Sequence, residues 1–286
     1  MIMSESKSAL IFANLNKDNA GLSAQIVQAQ LGERGWHADI LAFRGPISEH
    51  PDFSSYGLLV SLGGDGTLLY AASFAGPLGI PILPINLGTL GFIAANKMDT
   101  WAVTFDGWQR RAIEVSKRLM LKVQASRGKQ ILYSGIALND IVVSSEGNAR
   151  MIRMCLYVNK ECFGHYRADG LIVSTPTGST AYNLAAGGPA VHPEISALII
   201  NPICPFTLAS RPLVIPGTLA VEIAIDETKK TGALLTVDGH EMISLKKADM
   251  VKIEKYKKYA LLIVPPGNAF FSALRTKLGW SGDSDA

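Results

Sequence analysis

Residues 61–67 read SLGGDGT and follow directly on the apolar run YGLLV. Gly63, Gly64 and Gly66 at a strand end would let the backbone come close to a ligand. The helix opened by Gly66 and Thr67 would supply free N–H groups and a positive dipole end, a natural seat for phosphate. The spacing is neither GxGxxG nor a GKS/GKT loop, so the Rossmann fingerprint and the Walker loop do not apply. Asp65 is out of place in such a turn, because a carboxylate repels phosphate. It belongs there only with another job: accepting the proton of a hydroxyl that attacks phosphorus, or holding a metal-bound water. The competing reading is a tight turn in which Asp65 caps the helix by accepting from the N–H groups beyond it. On these residues alone the two readings weigh the same.

Three further stretches place polar groups in or after apolar strands. INLGTLGFIA (85–94) ends a strand with a second glycine-rich turn, which would line the same crevice. ALNDIVV (137–143) sets Asn139 and Asp140 inside an apolar strand. Adjacent strand residues face opposite sides, so one of the pair would be buried and costly unless bonded. A ligand contact is the better reading there, a bulge or edge bend the alternative. YRADGLIVSTPTGSTAYNLAAGGPAVHP (166–193) runs from a strand into small polar residues. Their backbone donors and hydroxyls could close on a sugar, a base or a diphosphate, although composition alone would make this a long surface loop.

The elements that must position these residues change rhythm along the chain. SALIFAN (8–14), HADILAF (37–43), GLLVSL (57–62) and IPILPIN (80–86) read as buried strands. They alternate with helical spacing in AGLSAQIVQAQLGERG, GTLLYAASFAG and DTWAVTFDGWQRR, the last with Asp99 as N-cap and Trp101, Phe105 and Trp108 on one face. This predicts a parallel sheet covered on both sides. From about Ile113 short alternating strands take over, and VDGH (237–240) predicts a tight hairpin. NAFFSALRTKLGW returns to a helical pattern, and SGDSDA reads as a frayed tail. The expected fold is an α/β N-terminal domain with a parallel sheet (1–112) plus an antiparallel, all-β, sandwich-like C-terminal domain (113–266). Residues 267–286 should pack back on the first domain.

A chain of 286 residues, 48% hydrophobic and 18% charged, suits two domains with substantial cores. A net charge of +3 is too weak and dispersed to argue for nucleic acid. Cys155, Cys162 and Cys204 leave one thiol unpaired under any disulfide scheme, and none forms a CxxC pair. A zinc site is therefore not expected, and a reducing cytoplasm fits. Apolar runs are too short for a membrane span, and the one near the start is interrupted too soon for a signal peptide.

Over most of its length the chain resembles bacterial-type NAD kinases. The resemblance rests on GGDGT (63–67), NLGTLGF (86–92), LND (138–140), DGLIVSTPTGSTAYNLAAGGP (169–189) and NPICPFTLASRPLVIP (201–216), in the family's order. GGDGT is shared with diacylglycerol-type lipid kinases and, in a close variant, with phosphofructokinases, whereas TPTGSTAYN is specific. The resemblance implies transfer of the γ-phosphoryl group of ATP to the 2′-hydroxyl of the adenosine ribose of NAD, giving NADP. It makes Asp65 the proton acceptor, with Gly66 lining the nucleotide site and Phe92 against the adenine side. Asn139 and Asp140 would contact the NAD ribose, and Asp169 the nicotinamide half. Thr180, Ala181, Tyr182, Asn183 and Ala185 would line the adenine and ribose pocket. Arg150, Arg167 and His240 fall where members of the family vary and are carried as further contacts. His37, His50, His165 and His192 are left as structural or surface residues.

The same resemblance implies NAD and ATP as substrates, Mg²⁺ accompanying ATP, and a homo-oligomer, dimer or tetramer, with neither nucleic acid nor membrane as partner. No lysine stands in the glycine cradle itself, so the metal should carry more of the charge neutralisation. Two rivals share the scaffold. A lipid kinase would carry a GTGND-type motif where this chain has Gly88-Thr89-Leu90-Gly91, and would lack TPTGSTAYN. A non-catalytic NAD(H) sensor would have no need of Asp65.

Overall fold

Apolar runs form the central strands of the first sheet, as burial on both faces requires. The computed structural model describes residues 7–45, 47, 51–88, 91–146, 151–227, 232–266 and 269–280. Strands β1 (Ser8–Asn14), β2 (His37–Phe43), β3 (Leu58–Gly63) and β4 (Pro81–Asn86) lie parallel in the order β2-β1-β3-β4, and the short β5 (Asn96–Lys97) adds to β4. Every residue of β3 is buried. Helices α1 (Ala20–Glu33), α2 (Asp65–Leu78) and α3 (Trp101–Gln109) connect or flank these strands. Because β1 sits between β2 and β3, the strand order reverses at β1/β3. The crevice outside the carboxyl ends of two such strands is where open α/β sheets take ligands.

Helix α3 starts one residue later than its sequence pattern predicts. Its N-cap is Thr100, which makes no side-chain capping bond, and not Asp99. The Lys97–Thr100 turn, closed by the Thr100 N–H to the Lys97 carbonyl at 3.2 Å, takes Asp99 into itself. The apolar face is as expected: Trp101, Phe105 and Trp108 are buried, with Trp36 5.7 Å from Phe105 and 6.0 Å from Trp108 between ring centres.

The remaining strands are β6 (Ser116–Arg127), β7 (Gln130–Ala137), β8 (Asp140–Ser145), β9 (Ile152–Val158), β10 (Glu161–Ala168), β11 (Gly170–Ser174), β12 (Ala197–Ile203), β13 (Leu213–Pro216), β14 (Val221–Glu227), β15 (Ala233–Val237), β16 (Glu241–Leu245) and β17 (Asp249–Leu262). One antiparallel sheet runs β13-β12-β11-β8-β15-β16; the other antiparallel pairings follow β10-β9-β14-β17, with β6 joining β17 and β7. The β15–β16 hairpin turns through Asp238 (φ 47°) and Gly239 (φ 72°), the positive angles that Asp-Gly tolerates. A single helical turn, α4 (Tyr182–Ala185), interrupts the segment before β12, and α5 (Ala269–Leu278) closes the described chain.

The chain divides into two compact units, residues 1–118 with 259–286, and residues 119–258. The return to the first unit begins inside β17 and not after residue 266. Leu261 and Leu262 pair in parallel with Pro81 and Ile82 of the first unit, and Ala260–Ile263 are buried. Among the described residues no helix is long and apolar enough to cross a membrane.

Phe105 is fully buried at the centre of the tryptophan cluster. Phe105→Ala should cost about 3–5 kcal/mol through the cavity it leaves. A thermal or urea unfolding curve unchanged from the parent would refute that placement.

Candidate active site

The glycine turn after β3 lies at the strand-order reversal. Gly64 is the N-cap of α2 and Asp65 its first residue, so Asp65 does not cap the helix by its side chain. Its carboxylate reaches instead across to the segment after β4. Oδ2 accepts from the N–H of Phe92 at 2.8 Å, and Oδ1 from those of Ile93 at 3.2 Å and Ala94 at 2.9 Å. A Cβ on Gly91 would collide with Oδ1, so this glycine is what lets the carboxylate seat. A carboxylate has about four lone-pair directions, and three N–H groups leave one open.

The end of β1 supplies two more groups to the same turn. Asn14 Nδ2 donates to Thr67 Oγ1 at 3.2 Å, and Thr67 in turn covers Gly63, where a Cβ would strike its hydroxyl. The exposed Lys17 brings its Cε within 4.0 Å of the position a Cβ on Gly64 would take. Around Gly66, which is exposed, a Cβ would meet nothing within 4 Å, leaving room for a ligand to reach the backbone. A cavity of about 370 Å³ at these strand ends is lined by Asp18, Asn19, Asn86, Gly88, Lys97 and Asp99, among others. Phe92 presents its ring to Lys277 of α5, whose Nζ lies 4.9 Å from the ring centre.

The second unit builds its site on Leu138-Asn139-Asp140. Asp238, from the hairpin turn, accepts from the N–H of Leu138 at 2.7 Å, Asn139 at 2.8 Å and Asp140 at 3.1 Å. The STPTG segment clamps the same residues from another side. Thr175 Oγ1 donates to the Leu138 carbonyl at 2.6 Å and its N–H to that of Asn139 at 2.8 Å, while Gly178 lies so close to the Asn139 backbone that no Cβ would fit. Asn139 and Asp140 are both buried, at the start of a central strand and not at an edge or bulge.

Two buried oxygens here have no hydrogen-bond partner, Asn139 Oδ1 and Thr177 Oγ1. Buried polar groups without partners are rare, and each calls for an explanation. Burial, with Asp238 as a neighbouring like charge, pushes the Asp140 carboxyl up to about 7. Desolvation likewise raises Asp238 against its three N–H partners.

In α4 the side chains sort by direction. Asn183 is fully buried, its Nδ2 donating to the carbonyls of Ser179 at 2.9 Å and Pro189 at 3.1 Å, so its amide shapes the loop. Ala181, Tyr182 and Ala185 are exposed and Thr180 half-buried. Asp169 and Arg167 stand elsewhere. Asp169 is at the opposite end of β11 from Ser174, the partner of Asp140, roughly 17 Å along the strand at about 3.4 Å per residue. Arg167 stacks on Phe206 at 4.6 Å and lines a different cavity. His240 is exposed in its turn, and Arg150 lies outside the described residues.

The sequence matches the descriptions "ATP-NAD kinase N-terminal domain" over residues 49–108 and "ATP-NAD kinase C-terminal domain" over 138–264. It is 40% identical to an NAD kinase of Treponema denticola over 280 residues, 97% of this chain and 98% of that protein. The chain belongs to the NAD kinase family. An NAD kinase of Moorella thermoacetica is 41% identical over 236 residues, 82% of this chain and 75% of the relative. Among solved structures, an Archaeoglobus fulgidus NAD kinase in complex with ATP superposes with a TM-score of 0.74 at 25% identity, covering 93% of this chain and 96% of that one. Yeast NADH kinase complexed with NADH shares the fold with a TM-score of 0.83 at 22% identity, covering 97% and 89%.

Four residues of this family member escaped the sequence reading: Lys17, Gly91, Thr177 and Asp238. Lys17 was visible only as a polar interruption after a strand. Asp238 was read as a turn former, which it is, but its carboxylate also carries the LND segment.

The raised Asp140 group makes a signed prediction. The fold holds its proton up to about pH 7, whereas the unfolded chain releases it near the ordinary 3.8. Between those values the native state binds more protons, so this group's contribution to stability falls as pH rises. Asp140→Asn should therefore be more stable than the parent at about pH 8, by roughly 1–4 kcal/mol, with no gain at about pH 4. Equal melting-temperature differences at both pH values would contradict the assignment.

Proposed function

We propose that this chain phosphorylates NAD on the 2′-hydroxyl of its adenosine ribose, taking the γ-phosphoryl group from ATP and releasing NADP and ADP. The observation that carries the reading is the Asp65 carboxylate, fixed by three N–H bonds in a glycine turn with one lone-pair direction open. In this reading the ribose oxygen forms a bond to the γ-phosphorus while the bond to the β-bridging oxygen breaks. The proton of the hydroxyl passes to Asp65, and ADP leaves with the electron pair of the broken bond. Phosphoryl transfer rests mainly on positioning and charge neutralisation, and Gly64, Gly66 and the start of α2 offer backbone N–H groups for the phosphates.

Asn139 Oδ1 and Thr177 Oγ1, both without partners, suit the hydroxyls and amino group of the adenosine half, and Asp140 suits the ribose. Tyr182, exposed beside Ala181 and Ala185, can cover the base. Mg²⁺ enters as part of the ATP substrate. Such a hard cation takes oxygen ligands, and the carboxylates of Asp18 and Asp99 on the 370 Å³ cavity fit it better than Asp65, whose oxygens already hold three N–H groups. Lys17 adds a positive charge to the glycine turn. Three free cysteines suit a reducing cytoplasm, and the family resemblance favours a homo-oligomer. ADP release that requires NAD, with NADP as co-product, is the direct test; ADP formed equally without NAD would overturn the reading.

Asp65→Asn should lower kcat by roughly 10²–10⁴, the usual share of general-base catalysis. Asparagine also offers one acceptor oxygen where the three N–H groups now find two, so the 92–94 segment is disturbed as well. Gly91→Ala separates the two effects, because it displaces the carboxylate while keeping it. A base role predicts a smaller kcat loss in Gly91→Ala than in Asp65→Asn; equal losses would make Asp65 a positioning residue only.

Lys17→Gln should raise KM for ATP several-fold with little change in KM for NAD, a modest effect because the ammonium is exposed. An unaltered ATP dependence would remove Lys17 from the phosphate site.

A further inference from the structure

Away from the residues assigned above, strands β9, β10 and β14 bring together Cys155, Cys162, His165 and Asp226. In register, Cys155 faces His165 on β10 and Ala224 on β14. A bulge between Cys162 and Gly164 sets Cys162 opposite Tyr157. Without the extra residue, Cys162 would fall opposite Val158 and point to the other face of the strand pair, since a one-residue shift inverts the side. With it, the Cys162 Sγ comes to 3.4 Å from the Cys155 Sγ. A ring nitrogen of His165 and both sulfurs lie within 4.8 Å of one another. Asp226 Oδ2 holds His165 Nδ1 at 3.0 Å.

We propose that Cys155, Cys162 and His165 form a binding site for a thiophilic divalent cation of the Zn²⁺ class. Two thiolates and an imidazole are the donor set such an ion prefers, and three protein ligands leave a fourth position for water. With Asp226 on Nδ1, the ion would take Nε2, and such a carboxylate is the outer-shell bond that orients histidine in metal sites and keeps the other nitrogen basic. A simple disulfide pair would need neither the imidazole nor Asp226. Charge also fits: two thiolates and Asp226 oppose Arg153 and Lys247, which line the adjoining cavity of about 460 Å³. Cys162 and His165 are exposed, so an ion can enter, while the buried Cys155 anchors it. The site would tie the terminal strand β10 to β9.

The test uses the full-length chain, stripped with a chelator, kept reduced with a phosphine, and titrated with Co²⁺ and then Zn²⁺. The expected result is stoichiometric Co²⁺ binding with an intense thiolate-to-metal charge-transfer band, displaced by Zn²⁺. Cys162→Ser, at an exposed position that tolerates the change, should lose about half of that band, one of the two thiolates. Asp226→Asn should weaken binding by roughly 10–100-fold, and Cys204→Ser should leave the spectrum as it was. The absence of a charge-transfer band in the parent, or a band that survives in Cys162→Ser but not in Cys204→Ser, overturns the proposal.

Discussion

A carboxylate laid across three successive backbone N–H groups is the interaction on which both sites depend. Asp65 holds Phe92, Ile93 and Ala94 in this way, and Asp238 holds Leu138, Asn139 and Asp140. Each segment leaves a regular strand or is about to join one, so its donors have no ladder partner of their own. Buried backbone donors must be satisfied, and bonds to an ionised acceptor are worth about 1.5–3 kcal/mol each, above the neutral kind. The segments are therefore fixed by side chains that are remote in sequence, 27–29 residues away for Asp65 and 98–100 for Asp238.

The glycines follow from that constraint. Gly91 has no side chain because the Asp65 carboxylate occupies its place, and Gly178 has none because the Asn139 backbone does. Neither shows a positive φ, so it is close approach and not backbone freedom that demands glycine there. The two carboxylates nonetheless differ in what remains to them. Asp65 stands in the glycine turn beside the exposed Gly66, with a lone pair to offer. Asp238 sits in a hairpin and also donates its own N–H to the Asp140 carbonyl at 3.0 Å, which makes it an architectural group.

Much of this was legible in the sequence where the signal is local. SALIFAN is a strand to the residue because an apolar run buried along its length has a clear beginning and end, and HADILAF, half-buried at the sheet edge, is legible from its alternation. The hairpin at Asp238-Gly239 was legible because its positive φ angles restrict the residue types. Asp99 is not the cap because the preceding Lys97–Thr100 turn takes it in, and the alternative of a capping Asp65 fails because its carboxylate bonds across to residues 92–94. Lys17 could not be assigned without the strand order, which alone brings the end of β1 beside the turn after β3. Nor could the change of partner within β17, whose pattern continues while its neighbour becomes β4. Cys155 and Cys162 fell outside every spacing motif because a bulge, and not their separation, puts them on one face.

The LND site is also where the molecule departs most from a well-satisfied interior. Asn139 Oδ1 and Thr177 Oγ1 are buried without partners, and Asp140 is a buried carboxyl pushed up to about 7 beside a second acid. Each unsatisfied buried group costs about 1–3 kcal/mol in the free protein. Such a cost persists where a ligand removes it, and its removal is selective. A molecule that presents hydroxyls and amino hydrogens at those positions satisfies all of the orphaned groups. One that fills the same space without them leaves the oxygens buried and unpaired, and rejection of that kind is stronger than a hydrophobic pocket achieves. In the proposed reading, the polar cluster held by Asp238 would discriminate a nucleoside from a molecule of the same shape. Rigidity is what makes it work, because a segment free to turn its amide outward would accept either.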